Sequence, residues 1–333
     1  MATKNPLLST STEEEQLFTN LRASHWDEFV GQENVKESLY IAIQAAKERN
    51  EAMDHVLLYG PPGLGKTTLA HLIAKEMGSA IRFTSATAIT KVGDLAAILT
   101  NLAPKDVLFI DEIHRLNKNV EEALYPSMED FVFDVVIGKG PAARTLRLDL
   151  PRFTLVGATT RFGMLSGPFR DRFGLVHRVS YYEEERLSQI ILTAAKKLSF
   201  ELPPTASTEI ARRARGTPRI ALKLLKRVRD YAQIKLNGTV NEQSVQEALD
   251  LLAVDHLGLD DSDRRFLTLI IEKHGGGPLG IETIAATLSE DVGTIEEVYE
   301  PYLMQIGFLQ RTPRGRVITA KAYQHLHVEI KEK

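Results

Sequence analysis

The first half of the chain alternates short apolar runs with segments of helical periodicity. Four runs have the length and composition of strands: HVLLY from 55, IRFTSA from 81, VLFID from 107 and FTLVGATT from 153. Strands that alternate with helical segments are typical of a parallel sheet covered by helices. The pattern therefore predicts an α/β body.

A hairpin is predicted between the third and fourth runs. The segment PSMEDFVFDVVIGKGPAARTLRLDLPRF alternates on both sides of the turn signal Gly138-Lys139-Gly140-Pro141. Such a pattern predicts two antiparallel strands inserted into the body. Its apolar side chains either form an exposed patch or pack on the body, and the sequence leaves both open. They are Val135, Ile137, Leu146 and Leu148.

The second half predicts two further domains. After Tyr182 the strands give way to amphipathic helices at roughly 183–199, 205–214, 218–235 and 241–252. Past Asp255, helical segments near 261–273, 281–288 and 293–305 precede GFLQRTPRGRVIT, two short strands around a turn. Three helices and a two-stranded wing are typical of a winged-helix domain. We expect a large α/β body at 1–182, a small all-helical domain at 183–254 and a winged helix at 255–333.

Composition narrows the class of protein. A length of 333 residues suits two or three domains, and 43% hydrophobic with 26% charged residues is the balance of a globular protein. No apolar run has bilayer length, and the polar, acidic beginning lacks a secretion signal, so we expect a cytoplasmic protein without a membrane partner. The absence of cysteine excludes disulfides and thiolate metal sites. A metal must then have oxygen or imidazole ligands, and Mg²⁺ with a nucleotide is the natural candidate.

Charge is distributed unevenly. The net charge of −3 argues against a uniformly basic protein that coats DNA. The stretch 211–235 nevertheless carries nine lysines and arginines against Asp230 alone, and 306–333 carries six against Glu329 and Glu332. The first stretch is equally well explained as a solvated helix face. The second lies in the predicted wing.

The most specific motif is GPPGLGKTT, from Gly60 to Thr68. It fits G-x-x-x-x-G-K-[ST], follows a predicted strand and begins a predicted helix, which is the context of a phosphate-binding loop. Its glycines let backbone N–H groups approach phosphates, Lys66 reaches the β and γ phosphates, and the Thr67 hydroxyl binds Mg²⁺.

A second motif supplies the carboxylates that ATP hydrolysis requires. VLFIDE ends a hydrophobic strand in two carboxylates: Asp111 should hold the metal and Glu112 should orient and deprotonate water. Thr160, at the end of FTLVGATT, is expected to hold the water or the γ-phosphate from beside Asp111.

In PFRDRF we favour Arg172 over Arg170 as the arginine that a neighbouring subunit supplies, and a surface ion pair with Asp171 is the alternative for one of them. Arg219, which begins a helix after Pro218, is expected to report on the γ-phosphate.

These motifs together resemble the AAA+ superfamily. GPPGLGKT, VLFIDE, GATTR, DRFG and GTPR follow one another over some 160 residues. The wider segments VEEALYPSMEDF, ARRARGTPRIALKLLKRVRD and EPYLMQIGFLQRTPRGR make the chain similar to the RuvB family, bacterial motors for branch migration of Holliday junctions. The similarity runs from about Phe29 to Arg316.

The resemblance implies a homohexameric ring on duplex DNA that acts on Holliday junctions with RuvA, ahead of RuvC, in recombination and repair. It implies RuvA contact through the hairpin 131–150, and DNA contact through Arg311 and Arg316, which suits phosphate binding without sequence preference. Tyr182 would lie near the base, although an ordinary strand aromatic is the alternative. The implied ATP or ADP contacts are Leu21, Arg22, Gly63, Gly65, Lys66, Thr67, Thr68, Glu129, Asp130, Phe131, Arg172, Tyr182 and Arg219.

Two rival functions share part of this pattern. A clamp-loader-like or protein-remodelling ATPase would have the same ATP motifs, but should lack the terminal winged helix. An ATP-switched DNA-binding module would bind nucleotide and barely hydrolyse it, and it would have little need of Glu112 or the DRFG arginines. A DNA-translocating ATPase is the interpretation that uses all the motifs.

Overall fold

The computed structural model describes residues 20–137, 144–236 and 240–329. The chain divides into two compact units, with the boundary between Tyr182 and Glu183. The first unit holds the α/β body, and the second holds the helical and winged-helix segments. Each unit is described by itself.

The body is built on a five-stranded parallel sheet. Its strands are β1 (Val56–Tyr59), β2 (Ile81–Ser85), β3 (Val107–Asp111), β6 (Thr154–Thr159) and β7 (Leu175–Arg178), in the order β2-β3-β6-β1-β7. The central strands β1, β3 and β6 are almost wholly buried, as strands covered on both faces must be. Because the strands are parallel, the carboxyl ends of β1, β3 and β6 meet at one edge of the sheet.

Helices precede and connect the strands of the body. They are α1 (Glu33–Arg49), α2 (Lys66–Met77), α3 (Val92–Leu99), α4 (Lys118–Glu129) and the short α5 (Gly167–Arg170). Buried Leu95 and Leu99 of α3 and Val120 and Leu124 of α4 join Leu108 of β3 in one core. Their spacing of three or four residues is the helical period that the sequence carries.

Two details of the body differ from the sequence prediction. Strand β7 was not among the four predicted runs, because an edge strand with alternating partly buried and exposed residues lacks the apolar run of a central strand. The segment PSME, which the prediction gave to the hairpin, ends helix α4 instead. Pro126 lies inside that helix, where the sequence suggests a break.

The predicted hairpin is present. Strands β4 (Val132–Ile137) and β5 (Arg144–Asp149) pair antiparallel, with Val135 opposite Leu146 and Phe133 opposite Leu148. The predicted turn at 138–141 lies outside the described residues.

The second unit begins with four helices close to the predicted bounds. They are α6 (Glu184–Lys197), α7 (Pro204–Arg212), α8 (Pro218–Lys235) and α9 (Glu242–Leu251). Leu187, Ile210, Leu225 and Val245, one from each helix, are fully buried. Pro218 stands at the first turn of α8, where its missing N–H costs nothing.

The winged helix follows in the same unit. Its helices are α10 (Asp261–His274), α11 (Ile281–Leu288), α12 (Val292–Thr294), a π-helical turn at Ile295–Tyr299, α13 (Glu300–Gln305) and α14 (Ala320–His325). Its wing consists of β8 (Leu309–Thr312) and β9 (Gly315–Ile318). The third predicted helix is thus interrupted by the π turn, and α14 was not predicted. The fold class is confirmed: a P-loop parallel sheet with an inserted hairpin, a helical lid and a winged helix.

Candidate functional site

The phosphate loop joins β1 to α2 through three glycines in the left-handed half of conformational space. Gly60, Gly63 and Gly65 have φ angles of 143°, 77° and 102°. A Cβ on Gly60 would lie 2.2 Å from the carbonyl oxygen of Val179, so only glycine fits there. Gly65 is the N-cap of α2, and the N–H groups of the first helical turn have no intrahelical acceptors. The loop therefore forms a cradle for an anion.

Lys66 is the charged residue of this loop. It is only 7% exposed, and its Nζ donates to the carbonyl oxygens of Gly60 at 2.7 Å and Pro61 at 2.8 Å. Burial lowers the pKa of Lys66, and the charges of Glu112 and Asp111 oppose that shift. The ammonium and the two carboxylates are thus close enough to interact electrostatically.

The metal-binding candidates are Thr67 and Asp111. Thr67 and Thr68 are half-buried in the first turn of α2, and Asp111 ends β3. Burial raises the pKa of Asp111, and the Glu112 N–H, which donates to its Oδ1 at 3.0 Å, acts against the rise. A hydroxyl and a carboxylate are oxygen ligands of the kind that Mg²⁺ takes together with phosphate. The donor set and the glycine cradle fit a magnesium nucleotide.

Glu112 is held by three groups. Its Oε2 accepts from the Thr160 hydroxyl at 3.0 Å and from the Thr160 N–H at 3.3 Å, and it lies 3.2 Å from Nδ1 of His114. Thr160 therefore contacts Glu112, the residue next to Asp111. The Glu112 backbone has a φ of 46°, a conformation that costs a non-glycine residue energy and is concentrated at functional sites.

His114 was missed by the sequence reasoning. Its side chain is almost fully buried, and Nδ1 also lies 2.9 Å from the hydroxyl of Thr159. The only available signal was its position two residues after Glu112 in DEIHRL. A histidine in that position is more readily explained as an ordinary helix residue, so the contact could be recognised only in three dimensions.

Arg172 lies against neighbouring residues of the body. Its Nη2 forms an ion pair with Glu129 at 3.2 Å, its Nη1 donates to the Pro168 carbonyl at 2.5 Å, and its guanidinium stacks 4.1 Å from the ring centre of Tyr125. Its buried Nε has no partner among the described atoms. The guanidinium of Arg170 instead lies over Phe162, at 5.0 Å. The structure thus brings together two predicted nucleotide contacts, Arg172 and Glu129.

Asp130 and Phe131 follow Glu129 at the start of the hairpin. Asp130 is exposed and caps the end of α4. Phe131 has a φ of 55°, packs edge-on against Phe153, and has the guanidinium of Arg152 5.0 Å from its ring centre.

Leu21, Arg22 and Tyr182 flank the body at its two ends. Leu21 is buried and Arg22 half-buried. The Tyr182 ring is also buried, and its hydroxyl donates to the Leu64 carbonyl at 3.4 Å, within the phosphate loop. A Cβ on Gly31 would lie 2.6 Å from that ring. Tyr182 is therefore packed against the loop rather than lying free on a strand.

Arg219 belongs to the second unit. It is the second residue of α8 and is exposed. Thr217, the N-cap of that helix, is buried and donates its hydroxyl to the carbonyl of Arg215 at 3.1 Å.

The wing brings the two predicted DNA-contact arginines together. Arg311 and Arg316 stand opposite each other in the β8–β9 register. Both donate to the buried carboxylate of Glu300, Arg311 Nη2 to Oε2 at 2.6 Å and Arg316 Nε to Oε1 at 2.5 Å. The Arg311 side chain is 52% exposed and that of Arg316 is 12% exposed. Sequence reasoning missed Glu300: it begins the segment EPYLMQIGFLQRTPRGR, but nothing in the pattern pairs a carboxylate of the predicted helix with the wing arginines.

The hairpin divides its apolar residues between two environments. Leu146 is 47% exposed, whereas Val135 and Leu148 pack against the core of the body. The side chain of Ile137 lies outside the described residues. The open alternatives of the sequence analysis are thus both partly realised.

Two features are absent from the described residues. These residues contain no group of three or more His, Cys, Asp and Glu side chains able to hold a metal ion. No helix in the described ranges is long and apolar enough to cross a membrane.

Comparison with known proteins assigns the chain to a family. Three family models match in succession: the Holliday junction DNA helicase RuvB P-loop domain at 21–179, the RuvB AAA lid domain at 182–255 and the RuvB C-terminal winged helix domain at 256–327. The Holliday junction branch migration complex subunit RuvB of Dehalococcoides mccartyi is 59% identical over 95% of this chain and 91% of its own length. The subunit of the same name from Chloroflexus aggregans is 56% identical over 97% of this chain and 93% of its own length.

Solved structures agree with this assignment. The Thermotoga maritima RuvB Holliday junction branch migration motor matches with a TM-score of 0.86 and 51% identity, over 94% of this chain and 100% of that one. A variant of the same protein matches with a TM-score of 0.87 over 93% of this chain and 99% of that one. Since relatives more than half identical cover nearly the whole chain, and three consecutive family models match it, the chain belongs to the RuvB family of AAA+ P-loop ATPases.

Proposed function

We propose that this chain is an ATP-driven motor that moves duplex DNA and drives branch migration of Holliday junctions. The observation that carries the proposal is the combination of a hydrolytic ATP site, with Glu112 held by Thr160 and His114, and a winged helix with paired arginines. The rival protein-remodelling ATPase accounts for the first feature but not for the second. The predicted domain boundaries at 182/183 and 254/255 are part of this proposal.

Hydrolysis begins with ATP in the glycine cradle, and Lys66 moves its hydrogen bonds from the loop carbonyls to the phosphates. Glu112 accepts a proton from water, the water oxygen bonds to the γ-phosphorus, and the bond to the β–γ bridging oxygen breaks to leave ADP and phosphate. Thr160 keeps the Glu112 carboxylate oriented during the proton transfer. Thr67 and Asp111 would hold Mg²⁺, which supplies positive charge next to the phosphates.

The base and sugar of the nucleotide are proposed to contact the remaining predicted residues of the body. Leu21, Arg22 and Tyr182 would line the nucleoside side of the site, and the hydrogen bond from the Tyr182 hydroxyl to Leu64 of the phosphate loop supports this assignment for Tyr182. Gly63, Gly65 and Thr68 would contact the phosphates through backbone and hydroxyl groups. Arg219 is proposed as the lid residue that contacts the γ-phosphate and links hydrolysis to lid motion.

Arg172 is proposed to act on the ATP of a neighbouring subunit in a homohexameric ring. Its ion pair with Glu129 supports this, because both residues, with Asp130 and Phe131, are predicted nucleotide contacts and would be presented together. An arginine supplied in trans stabilises transition-state charge and makes turnover depend on assembly.

The wing and the hairpin are the proposed contact surfaces. Arg311 and Arg316 would contact backbone phosphates, which gives a motor affinity for any sequence. The exposed Leu146 of the hairpin 131–150 is the apolar side chain through which a RuvA-like partner would be contacted. RuvC would act on the junction afterwards.

The proposed function is tested by ATP turnover with no DNA, with linear duplex and with a four-way junction. Stimulation by duplex, and its loss in Arg311→Ala, is the expected result. Turnover that is indifferent to every DNA would retain the ATPase assignment and favour the remodelling alternative.

A further inference from the structure

The two arginines of the wing are held very differently. The backbone of Arg316 exchanges hydrogen bonds with Leu279, its N–H donating at 2.8 Å and its carbonyl accepting at 2.9 Å, and its side chain is largely buried. Arg311 has no comparable enclosure, since about half of its side chain is exposed. One carboxylate, that of Glu300, nevertheless bonds to both.

Glu300 is the least exposed member of this cluster. Only 2% of its side chain is exposed, and a carboxylate in that environment is costly unless it is paired and hydrogen-bonded. Arg316 supplies Nε at 2.5 Å and Nη2 at 3.4 Å, so it fixes the carboxylate from the buried side. The remaining acceptor capacity of Oε2 faces Arg311 at 2.6 Å.

Arg311 keeps donors for a second acceptor. A guanidinium has five N–H donors, and the bond to Glu300 uses Nη2 alone. Glu296 approaches the same nitrogen, at 3.9 Å. A long side chain that is already held loses less rotational freedom when it binds a phosphate.

We propose that Glu300 is a positioning residue for DNA: it holds Arg311 in place for contact with a backbone phosphate, and Arg316 braces Glu300. This inference rests on the proposed DNA contact of the wing. It adds a bracing role to the proposed phosphate contact of Arg316, and it makes Glu300, a helix residue that bonds to the wing, part of the DNA-binding apparatus.

The substitution Glu300→Gln distinguishes a positioning role of Glu300 from a purely electrostatic effect of its negative charge on DNA binding. The substitution keeps the shape of the side chain and removes one negative charge, so an electrostatic effect alone predicts tighter DNA binding with a steeper dependence on salt. Positioning predicts the opposite, because Arg311 loses its charged acceptor and becomes mobile. The two accounts therefore differ in sign.

The experiment measures fluorescence anisotropy of a labelled linear duplex with the full-length protein over a series of salt concentrations. The variants are Glu300→Gln, Arg311→Ala and the double substitution, each checked for thermal unfolding. We expect Arg311→Ala to bind about fivefold more weakly, with a salt slope lower by about one. Glu300→Gln should weaken binding in the same direction, and the double variant should bind no more weakly than Arg311→Ala alone.

Three results would overturn the inference or its basis. The positioning role is contradicted if the Glu300→Gln protein binds DNA as tightly as the parent or more tightly. It is also contradicted if the loss of DNA affinity in the double variant equals the sum of the two single losses. Arg311→Ala with unchanged affinity would instead contradict the proposed wing contact, which is a separate failure. If Glu300→Gln does not fold, Arg316→Lys replaces it in the test, because lysine preserves the charge but not the paired donors. Weaker DNA binding by Arg316→Lys, with no further loss when the substitution is added to Arg311→Ala, supports the bracing role. Unchanged DNA binding by Arg316→Lys contradicts it.

Discussion

The hydroxyl of Thr160 lies 3.0 Å from Oε2 of Glu112 and joins the ends of two neighbouring strands. The Thr160 N–H and His114 Nδ1 approach the same oxygen, at 3.3 Å and 3.2 Å. These contacts fix the orientation of the Glu112 carboxylate, and that orientation depends on the register between β3 and β6. The catalytic proposals follow from this arrangement.

Glu112→Gln should bind ATP with little change and hydrolyse it about 10²- to 10⁴-fold more slowly, because the amide cannot accept the proton of water. Steady-state turnover and equilibrium binding of a fluorescent ATP analogue measure the two properties. Turnover equal to that of the parent would remove Glu112 from the role of base.

Thr160→Val should lower kcat about three- to tenfold with a smaller change in KM, because valine has the shape of threonine without its hydroxyl. Thr160→Ser is the matched control, since it keeps the hydroxyl, and it should recover most of the lost turnover. A serine variant as slow as the valine variant would indicate that packing, rather than the hydrogen bond to Glu112, is responsible.

Arg172→Ala and Lys66→Ala should each abolish most turnover, and a mixture of the two proteins should recover part of it. Recovery arises because some interfaces pair an intact phosphate loop with an intact arginine from the neighbour. Arg170→Ala is the control and should retain most activity alone. A mixture as inactive as its components would argue against action in trans, and an inactive Arg170→Ala would exchange the roles of the two arginines.

His55 should make the body less stable in mild acid. Its Nδ1 accepts the Leu155 N–H at 2.9 Å, its Nε2 lies 3.0 Å from the Met128 carbonyl, and burial lowers its pKa below the ordinary 6.5. The unfolded chain therefore binds a proton that the folded chain excludes, so the free energy of unfolding falls as pH drops below about 6.5, by at most about 1.4 kcal/mol per pH unit.

Urea unfolding of the parent and of His55→Gln over that pH range measures this contribution. The difference between the two proteins isolates His55 from the other histidines. A flatter pH profile in the glutamine variant is expected, and parallel profiles would show that His55 does not contribute.

Local patterns carried most of the fold prediction. The phosphate loop, β3 with its Asp-Glu ending and the lid helices are each encoded within a short stretch, so their period, caps and glycines are readable in one dimension. Strand β7 was missed because its residues alternate between partial burial and exposure at the sheet edge. Its place is decided by pairing with β1, more than 110 residues earlier in the chain.

Contacts between distant segments limited the prediction of the site. The bond from Thr160 to Glu112 spans 48 residues, and the bonds of Glu300 depend on how the wing folds back on α13. Motifs supplied the predicted reactive residues and Thr160, but not all the residues that contact them. His114 and Glu300 are among those missed.

The central claim is tested most directly by dissociation of a labelled four-way junction with the full-length protein, ATP and RuvA. The account predicts ATP-dependent dissociation that requires RuvA and is lost in Glu112→Gln. A junction that stays intact while the parent protein hydrolyses ATP in the same tube would contradict it.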